Sequence, residues 1–343
     1  MSSLVSNINK AFGPQWPNNG FTIRLSKHFS QNSISAELLK GLQPAQIINN
    51  VRSESQSRKD GLWEHFEEAM VRAIYGSNMI ESAGSSLKIT DNLCRAVFRG
   101  KEVSAEVADA EGHPEYDAHV KALLDANRKT DKSTVIQSRQ EIINHARAIN
   151  YMFDRVICKG ESLSEDAIRE AHRILSTGFV HDDLVPGEYR STEVAVRYGV
   201  RGKQKTAPCM RASAVPKRMA KMVADLENEL AAAEHPNSLD PYTLAARYHH
   251  IFVMIHPFAD GNGRVSRIIL NVLLLRYAGH GCVIGDTAED RALYLSVVRK
   301  AARDFHNEDG EVEYHEETSH FAFANYVLAR SKNNLVAMLS WLN

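Results

Sequence analysis

Between residues 256 and 267 the chain reads HPFADGNGRVSR, a run that holds an imidazole, a carboxylate, two glycines and two arginines. These groups suit phosphate chemistry. Gly261 and Gly263 flank Asn262, and glycine permits positive φ, so successive backbone N–H groups can turn inward as an anion-binding nest. A strongly apolar helical pattern, IILNVLLLRYAG, follows, and its N-terminus adds unpaired N–H groups and a positive dipole end. Arg264 and Arg267 stand three residues apart, which sets both on one side of the first turns. Two cations at that end of a helix oppose the macrodipole. A polyphosphate at the point where nest, helix end and guanidinium groups converge would relieve the conflict; the bland alternative is a helix corner whose arginines pair with Glu or Asp elsewhere. Asp260 can hold Mg²⁺, which commonly takes one or two carboxylates together with substrate phosphates. His256 can take a proton from an attacking hydroxyl. The run offers no activated Ser, Cys or Lys, so that hydroxyl belongs to another molecule.

The rest of the chain must position this run. Its 343 residues are enough for one large or two modest domains. With 41 Lys+Arg against 42 Asp+Glu there is no global field for nucleic acid or a membrane surface, so neither is expected as a partner. Cys94, Cys158, Cys209 and Cys282 lie far apart, without zinc or redox spacing. The opening MSSLVSNINKAFGPQWPNNG lacks a signal peptide's apolar run, and the greasy stretch at 268–275 is too short to span a bilayer. A cytoplasmic or nucleocytoplasmic protein is expected. Residues 1–60, rich in Ser, Asn, Gln and Gly, predict a partly ordered arm with one short helix near 35–50. Leu62, Phe66, Ala69, Met70, Ala73 and Ile74 recur at helical spacing. The acidic stretch 101–118 predicts a loop or solvated helix. Helical periods return at 137–158, after Ser164, and at 215–234, 241–255, 264–278, 288–305 and 319–341. Between them, Val194 and Val196 alternate with Glu193 and Arg197 ahead of Gly199 and Gly202, which predicts a β-hairpin or extended flap. The expected class is mainly α, a helical bundle with one small β-hairpin.

The run 256–267 resembles the signature of the Fic family, H-x-F-x-(D/E)-G-N-G-R-x-x-R, at every fixed position: His256, Phe258, Asp260, Gly261, Asn262, Gly263, Arg264 and Arg267. EIINHARAINYMF, LSEDAIREAHRIL, GEYRSTEVAV and DRALYLSVV extend the resemblance from about residue 140 to about 305. It implies a Fic-type bundle and transfer of AMP from ATP to a Tyr, Thr or Ser hydroxyl of a target protein. On that resemblance His256 is the base and Asp260 the Mg²⁺ ligand. Gly261, Asn262 and Gly263 cradle the α- and β-phosphates with help from Arg264, Arg267 binds the γ-phosphate, and Phe258 anchors the loop. Doc-like kinases of the same fold have lysine where this chain has Gly263, so Gly263 points to nucleotidyl transfer. The flap residues Glu193, Val194, Ala195, Val196 and Arg197 resemble the edge on which a target segment adds as a strand. Tyr294 resembles a residue that lines the adenine pocket.

GSNMIE, residues 76–81, resembles the family's inhibitory motif (S/T)-x-x-x-E-(G/N), in which the glutamate pairs with the second motif arginine and obstructs the γ-phosphate. Ser77 and Glu81 match, and Ser77 would brace the Glu81 carboxylate. Ser82 departs from the motif's Gly or Asn, with Ala83-Gly84 able to supply the turn one residue later. The resulting layout is an arm at 1–60, an N-terminal helical region at 61–135 with an inhibitory helix at about 62–82, a Fic catalytic core at 136–310 and a C-terminal helix at 311–343. Removal of AMP at the same site, with Glu81 orienting a water, is an alternative. So are a non-catalytic nucleotide-binding regulatory module and a metal hydrolase using His249, His250, His256 and Asp260. A homodimer is compatible with the sequence.

Overall fold

The computed structural model describes residues 21–29, 55–107, 112–179, 183–198, 205–308 and 318–342. In chain order these form β1 (Thr22–Ile23), α1 (Gln56–Ile80), α2 (Leu87–Phe98), α3 (Pro114–Asp125), α4 (Lys132–Phe153) and α5 (Glu165–Ser176). There follow β2 (Ala195–Tyr198), β3 (Lys205–Pro208), α6 (Val215–Glu234), β4 (Ser238–Leu239), α7 (Pro241–Ile255), α8 (Asn262–Ala278), α9 (Ala288–Glu308) and α10 (Phe321–Leu342). The mainly helical expectation holds. Among the described residues no helix is long and apolar enough to cross a membrane.

The packed pair α7–α8 is the centre of the bundle, with α4, α10, α6 and α1 packed against it. Helix α8 is buried on nearly all sides, from Val265 to Ala278. That explains its run of Ile, Val and Leu, interrupted only by Asn271 between 268 and 275: a helix surrounded by others has no solvent face to make polar. Asp240 starts α7 by accepting N–H bonds from Tyr242 and Thr243, with Pro241 in the first turn.

Several elements differ from expectation. Within the partly ordered arm expected at 1–60, residues 21–29 are packed into the core. Phe21, Ile23 and Phe29 are buried in the main core, β1 pairs in parallel with β4, and the His28 ring stacks on Phe321 at 4.0 Å. Polarity around these residues hid three core side chains, because a two-residue strand is too short to show a period. The short helix expected near 35–50 lies outside the described residues. Helix α2 went unassigned in the sequence, although Ser86 caps it and Leu93, Val97 and Phe98 are buried. The acidic stretch 101–118 runs into α3, which begins at Pro114 behind an N-cap at His113.

Helix α1 ends where the inhibitory motif was expected, and its end is held from several sides. Gly76 packs so closely that an added Cβ would stand 2.2 Å from the Ile284 carbonyl oxygen. Ala83 N–H returns to the Asn78 carbonyl at 2.9 Å, and Ser82 itself takes φ 56°, the left-handed turn. A serine there is strained relative to glycine by about 1 kcal/mol. Arg291 of α9 offsets this by donating to the Ile80 carbonyl (3.1 Å) and the Ser82 hydroxyl (3.3 Å). Gly84, also left-handed, donates to Glu141 and accepts from Arg128.

Candidate active site

Helix α7 stops at His256, which adopts φ 51° and ψ 60° while its N–H still bonds the Phe252 carbonyl at 3.0 Å. Left-handed geometry at a non-glycine residue is costly and concentrates at functional positions. The chain then crosses the core through Phe258, fully buried and stacked on the His172 ring at 3.7 Å. Gly261 (φ 79°) turns the backbone into α8, whose N-terminus has no side-chain cap. Unpaired N–H groups are thereby left at the start of α8, as an anion site requires.

The Asn262 side chain takes no part in the backbone nest expected of residues 261–263. Its amide accepts from the Phe258 N–H (2.9 Å) and donates to the Phe258 carbonyl (2.8 Å). The side chain is thus spent on closing the loop, and only the backbone of Asn262 can face a phosphate. The two arginines do not converge either. Arg264 pairs with Asp260 at 3.0 Å, whereas Arg267 turns into the core and meets Glu81 at 2.6 Å. Two carboxylates of the chain itself therefore answer the two cations at the head of α8.

Arg267 is 4 % exposed and its guanidinium is shared widely. Besides Glu81 it donates to the Ser77 hydroxyl (2.8 Å), the Ser77 carbonyl (3.0 Å) and the Tyr294 phenol (3.3 Å). Ser77 therefore braces the arginine rather than the Glu81 carboxylate. Tyr294 is buried, does not line the cleft described next, and holds Arg267 and His249 through its hydroxyl. At that helical position the aromatic is a core side chain with a polar tip. Glu81 lies over Gly263, where an added Cβ would come within 2.2 Å of its Oε1.

His256, Asp260, Gly261, Asn262, Gly263 and Arg264 line one cleft, together with Glu81 and Ala195. Burial pushes the His256 imidazole down from its ordinary value, and the Arg190 cation adds to this. The Val253 carbonyl, Glu81 and Asp260 pull the other way. A neutral imidazole at physiological pH is the form that accepts a proton. The flap hairpin pairs β2 with β3 in antiparallel register, Ala195 opposite Pro208 and Tyr198 opposite Lys205. Of the five flap residues singled out in the sequence, Ala195 to Arg197 lie in β2. Glu193 and Val194 precede it, with the Glu193 carboxylate accepting from the Ala212 N–H. His249 and His250 are directed elsewhere, to Tyr294 and Ser319, which separates them from His256 and removes the geometry a metal hydrolase would need.

Residues 162–274 match the Fic/DOC family. The chain contains a Fic domain. It is 30 % identical over 235 residues to a sea anemone protein named protein adenylyltransferase Fic (Nematostella vectensis), a match covering 68 % of this chain and 44 % of that one. A protein of the same name from Drosophila grimshawi is 33 % identical over 174 residues, 51 % of this chain and 32 % of the fly protein. The chain thus spans less than half the length of these curated relatives. A solved Fic domain containing signaling protein from Bacteroides thetaiotaomicron superposes with a TM-score of 0.62 at 19 % identity, over 88 % of this chain and 96 % of that one, a likeness of fold.

Two residues near the Fic loop escaped the sequence reading. His172 of α5 lies behind the loop: its Nδ1 accepts the Gly187 N–H (3.0 Å), which leaves the proton on Nε2 to donate to the Asp260 carbonyl (3.1 Å). Arg190 donates to the His256 carbonyl at 2.8 Å. Both stand in quoted runs, AHRIL and GEYRS, but nothing local says what they touch.

Burial leaves an acid liability. His119, His172 and His280 are each pushed down to about 4. Each is neutral in the fold at pH values where the unfolded chain's imidazole, with an ordinary value of about 6.5, is already protonated. Stability is therefore complete above about pH 6.5 and falls as pH drops toward 4, by about 1.4 kcal/mol per pH unit for each such histidine. Urea unfolding midpoints between pH 7.5 and 4.5 should fall steeply below 6.5. A flat profile across that range would contradict neutral burial of these rings.

Proposed function

We propose that this chain is a protein adenylyltransferase that moves AMP from ATP to a Tyr, Thr or Ser hydroxyl of a target protein and is restrained by its own Glu81. The observation that supports this best is the single cleft in which His256, Asp260 and the start of α8 face one another. His256 takes the proton of the target hydroxyl while that oxygen attacks the α-phosphorus. The bond to the β-phosphate oxygen breaks, and pyrophosphate leaves with its electron pair. Such a displacement needs positioning and charge neutralisation more than covalent catalysis by the protein.

The residues present fit an anionic polyphosphate. Among the described residues no side chain caps the head of α8, and the Nε–H of buried Arg264 has no hydrogen-bond partner. Asp260 keeps a side chain 64 % exposed at the cleft, suited to a magnesium ion, which would supply further neutralisation of phosphate charge. Gly263 adds no side chain of its own to the cradle, and Arg267, once freed from Glu81, is the ligand for the γ-phosphate. The flap from Glu193 to Arg197 presents β2 beside the cleft as the edge for a target segment.

Incubation with α-labelled and γ-labelled ATP in parallel, at matched Mg²⁺, tests the reading. Label on protein is expected from the α-phosphate alone. Transfer of γ-label without α-label would replace adenylylation by phosphorylation, and no transfer of either from a Glu81→Gly chain would refute the enzyme reading.

A further inference from the structure

Arg190 stands between α5 and the flap, in the run GEYR, and its side chain is fully buried. All three of its nitrogens donate to backbone carbonyls. Nε reaches the His256 carbonyl at 2.8 Å, Nη1 the Thr192 carbonyl at 2.9 Å, and Nη2 the Met210 carbonyl. Its own backbone N–H bonds the Pro257 carbonyl at 2.9 Å. The nearest carboxylate, Glu193, stands 3.8 Å away and is itself mostly exposed. A guanidinium removed from water and answered mainly by carbonyls is an expensive arrangement for joining loops alone. Thr192 enters the flap just ahead of β2, and Met210 leaves it just after β3. The ladder is prolonged at that root by the Cys209 N–H on the Val194 carbonyl, 3.0 Å. One planar fork thus holds both ends of the hairpin and the carbonyl of the residue proposed as base.

We propose that Arg190 is a positioning residue that sets the flap and His256 in one frame, so that a hydroxyl carried on a segment docked along β2 arrives where the His256 imidazole can take its proton. The proposal rests on the adenylyltransferase reading above. Arg190 reaches the chemistry only through His256, whose left-handed backbone directs its carbonyl into the fork. Lysine cannot replace the fork, because a point charge on a flexible stem cannot hold three separate carbonyls in a plane.

Arg190→Lys and Arg190→Gln, made in the full chain with Glu81→Gly to release turnover, separate positioning from mere support. Both should lower kcat about ten- to hundredfold, the scale of an ångström-sized misplacement, with KM for ATP nearly unchanged. Exchange of the Cys209 amide should quicken in both. Burial, Arg190, Glu81, Asp260 and the Val253 carbonyl all act on the His256 ring, and of these charged groups Arg190 is the one that lowers its titration. Arg190→Gln should therefore move the NMR titration of His256 and the acid limb of the rate profile to higher pH, while Arg190→Lys moves both less.

Parent-like kcat in both variants overturns the proposal. So does a fall in kcat that follows the folded fraction alone, with the His256 titration and Cys209 exchange unchanged. If Arg190→Gln does not fold, Arg190→Lys decides through kcat against KM and through exchange. If the Glu81→Gly chain transfers no AMP at all, the functional reading fails instead. The nucleotide-free titration and exchange then still report whether Arg190 holds His256 and the flap.

Discussion

Glu81→Gly should raise the initial rate of AMP transfer by about ten- to a hundredfold. Glu81 donates nothing to the reaction as proposed. Its Oε1 lies over Gly263 and pairs with Arg267 at 2.6 Å, so the nucleotide's phosphates must displace it. A charge-assisted hydrogen bond contributes about 1.5–3 kcal/mol, and each 1.4 kcal/mol is a factor of ten in the competent fraction, which sets the size of the effect. Glycine also removes the side chain from the cleft altogether. The nucleotide-free protein should lose stability, though less than the 3–5 kcal/mol typical of a broken buried pair. Glu81 is about a third exposed (35 %), so water screens the pair, and Ser77 and Tyr294 still hold Arg267. ATP should recover that loss by binding, giving a larger ATP-dependent rise in Tm than in the parent. Ser77→Ala should act in the same direction but weakly, because it removes one hydroxyl acceptor from Arg267 and leaves the carboxylate in place. Initial rates and thermal shifts at matched Mg²⁺ decide the matter. Equal rates with equal ATP-dependent shifts would reduce GSNMIE to an ordinary helix end.

His256→Ala in the Glu81→Gly chain should lower AMP transfer by about 10²–10⁴-fold, the range of a positioned general base. ATP binding should persist. The elements proposed to hold phosphate are the uncapped head of α8, Arg264 and Arg267, and none of them bonds the His256 side chain. The loop closure made by Asn262 on Phe258 is likewise independent of the imidazole. Alanine in a left-handed conformation costs no less than histidine does there, so a thermal melt is needed to show that the variant is folded. Single-turnover label transfer with saturating ATP then isolates the chemical step. Transfer within tenfold of the Glu81→Gly parent would remove His256 from the role of base.

Six of the residues that line the cleft, His256, Asp260, Gly261, Asn262, Gly263 and Arg264, were legible in the sequence because they are neighbours in the chain. A base, a metal carboxylate, a nest and a helix end fall within one twelve-residue run, HPFADGNGRVSR, and backbone geometry of that kind is set locally by glycine and by helix starts. Apolar periods likewise placed the long helices α1, α4 and α6 to α10, since one face or all faces of each must meet the core. Short elements left too few residues for a period, and so the buried 21–29 segment read as an arm.

For most polar side chains only the tertiary structure decided which group each answers. Glu81 meets Arg267 across 186 residues of chain, a pairing that the family resemblance implied and no periodicity could carry, and Arg190 meets His256 across 66, which nothing in the sequence indicated. The sequence could set Arg264 and Arg267 on one side of a helix, but not that one would turn to Asp260 and the other into the core. It could present Ser82 as a poor turn residue, but not that Arg291 from α9 would hold it there. A charged side chain's partner is chosen by what the packed helices bring within about 3 Å of it, and that neighbourhood exists only once the chain has folded.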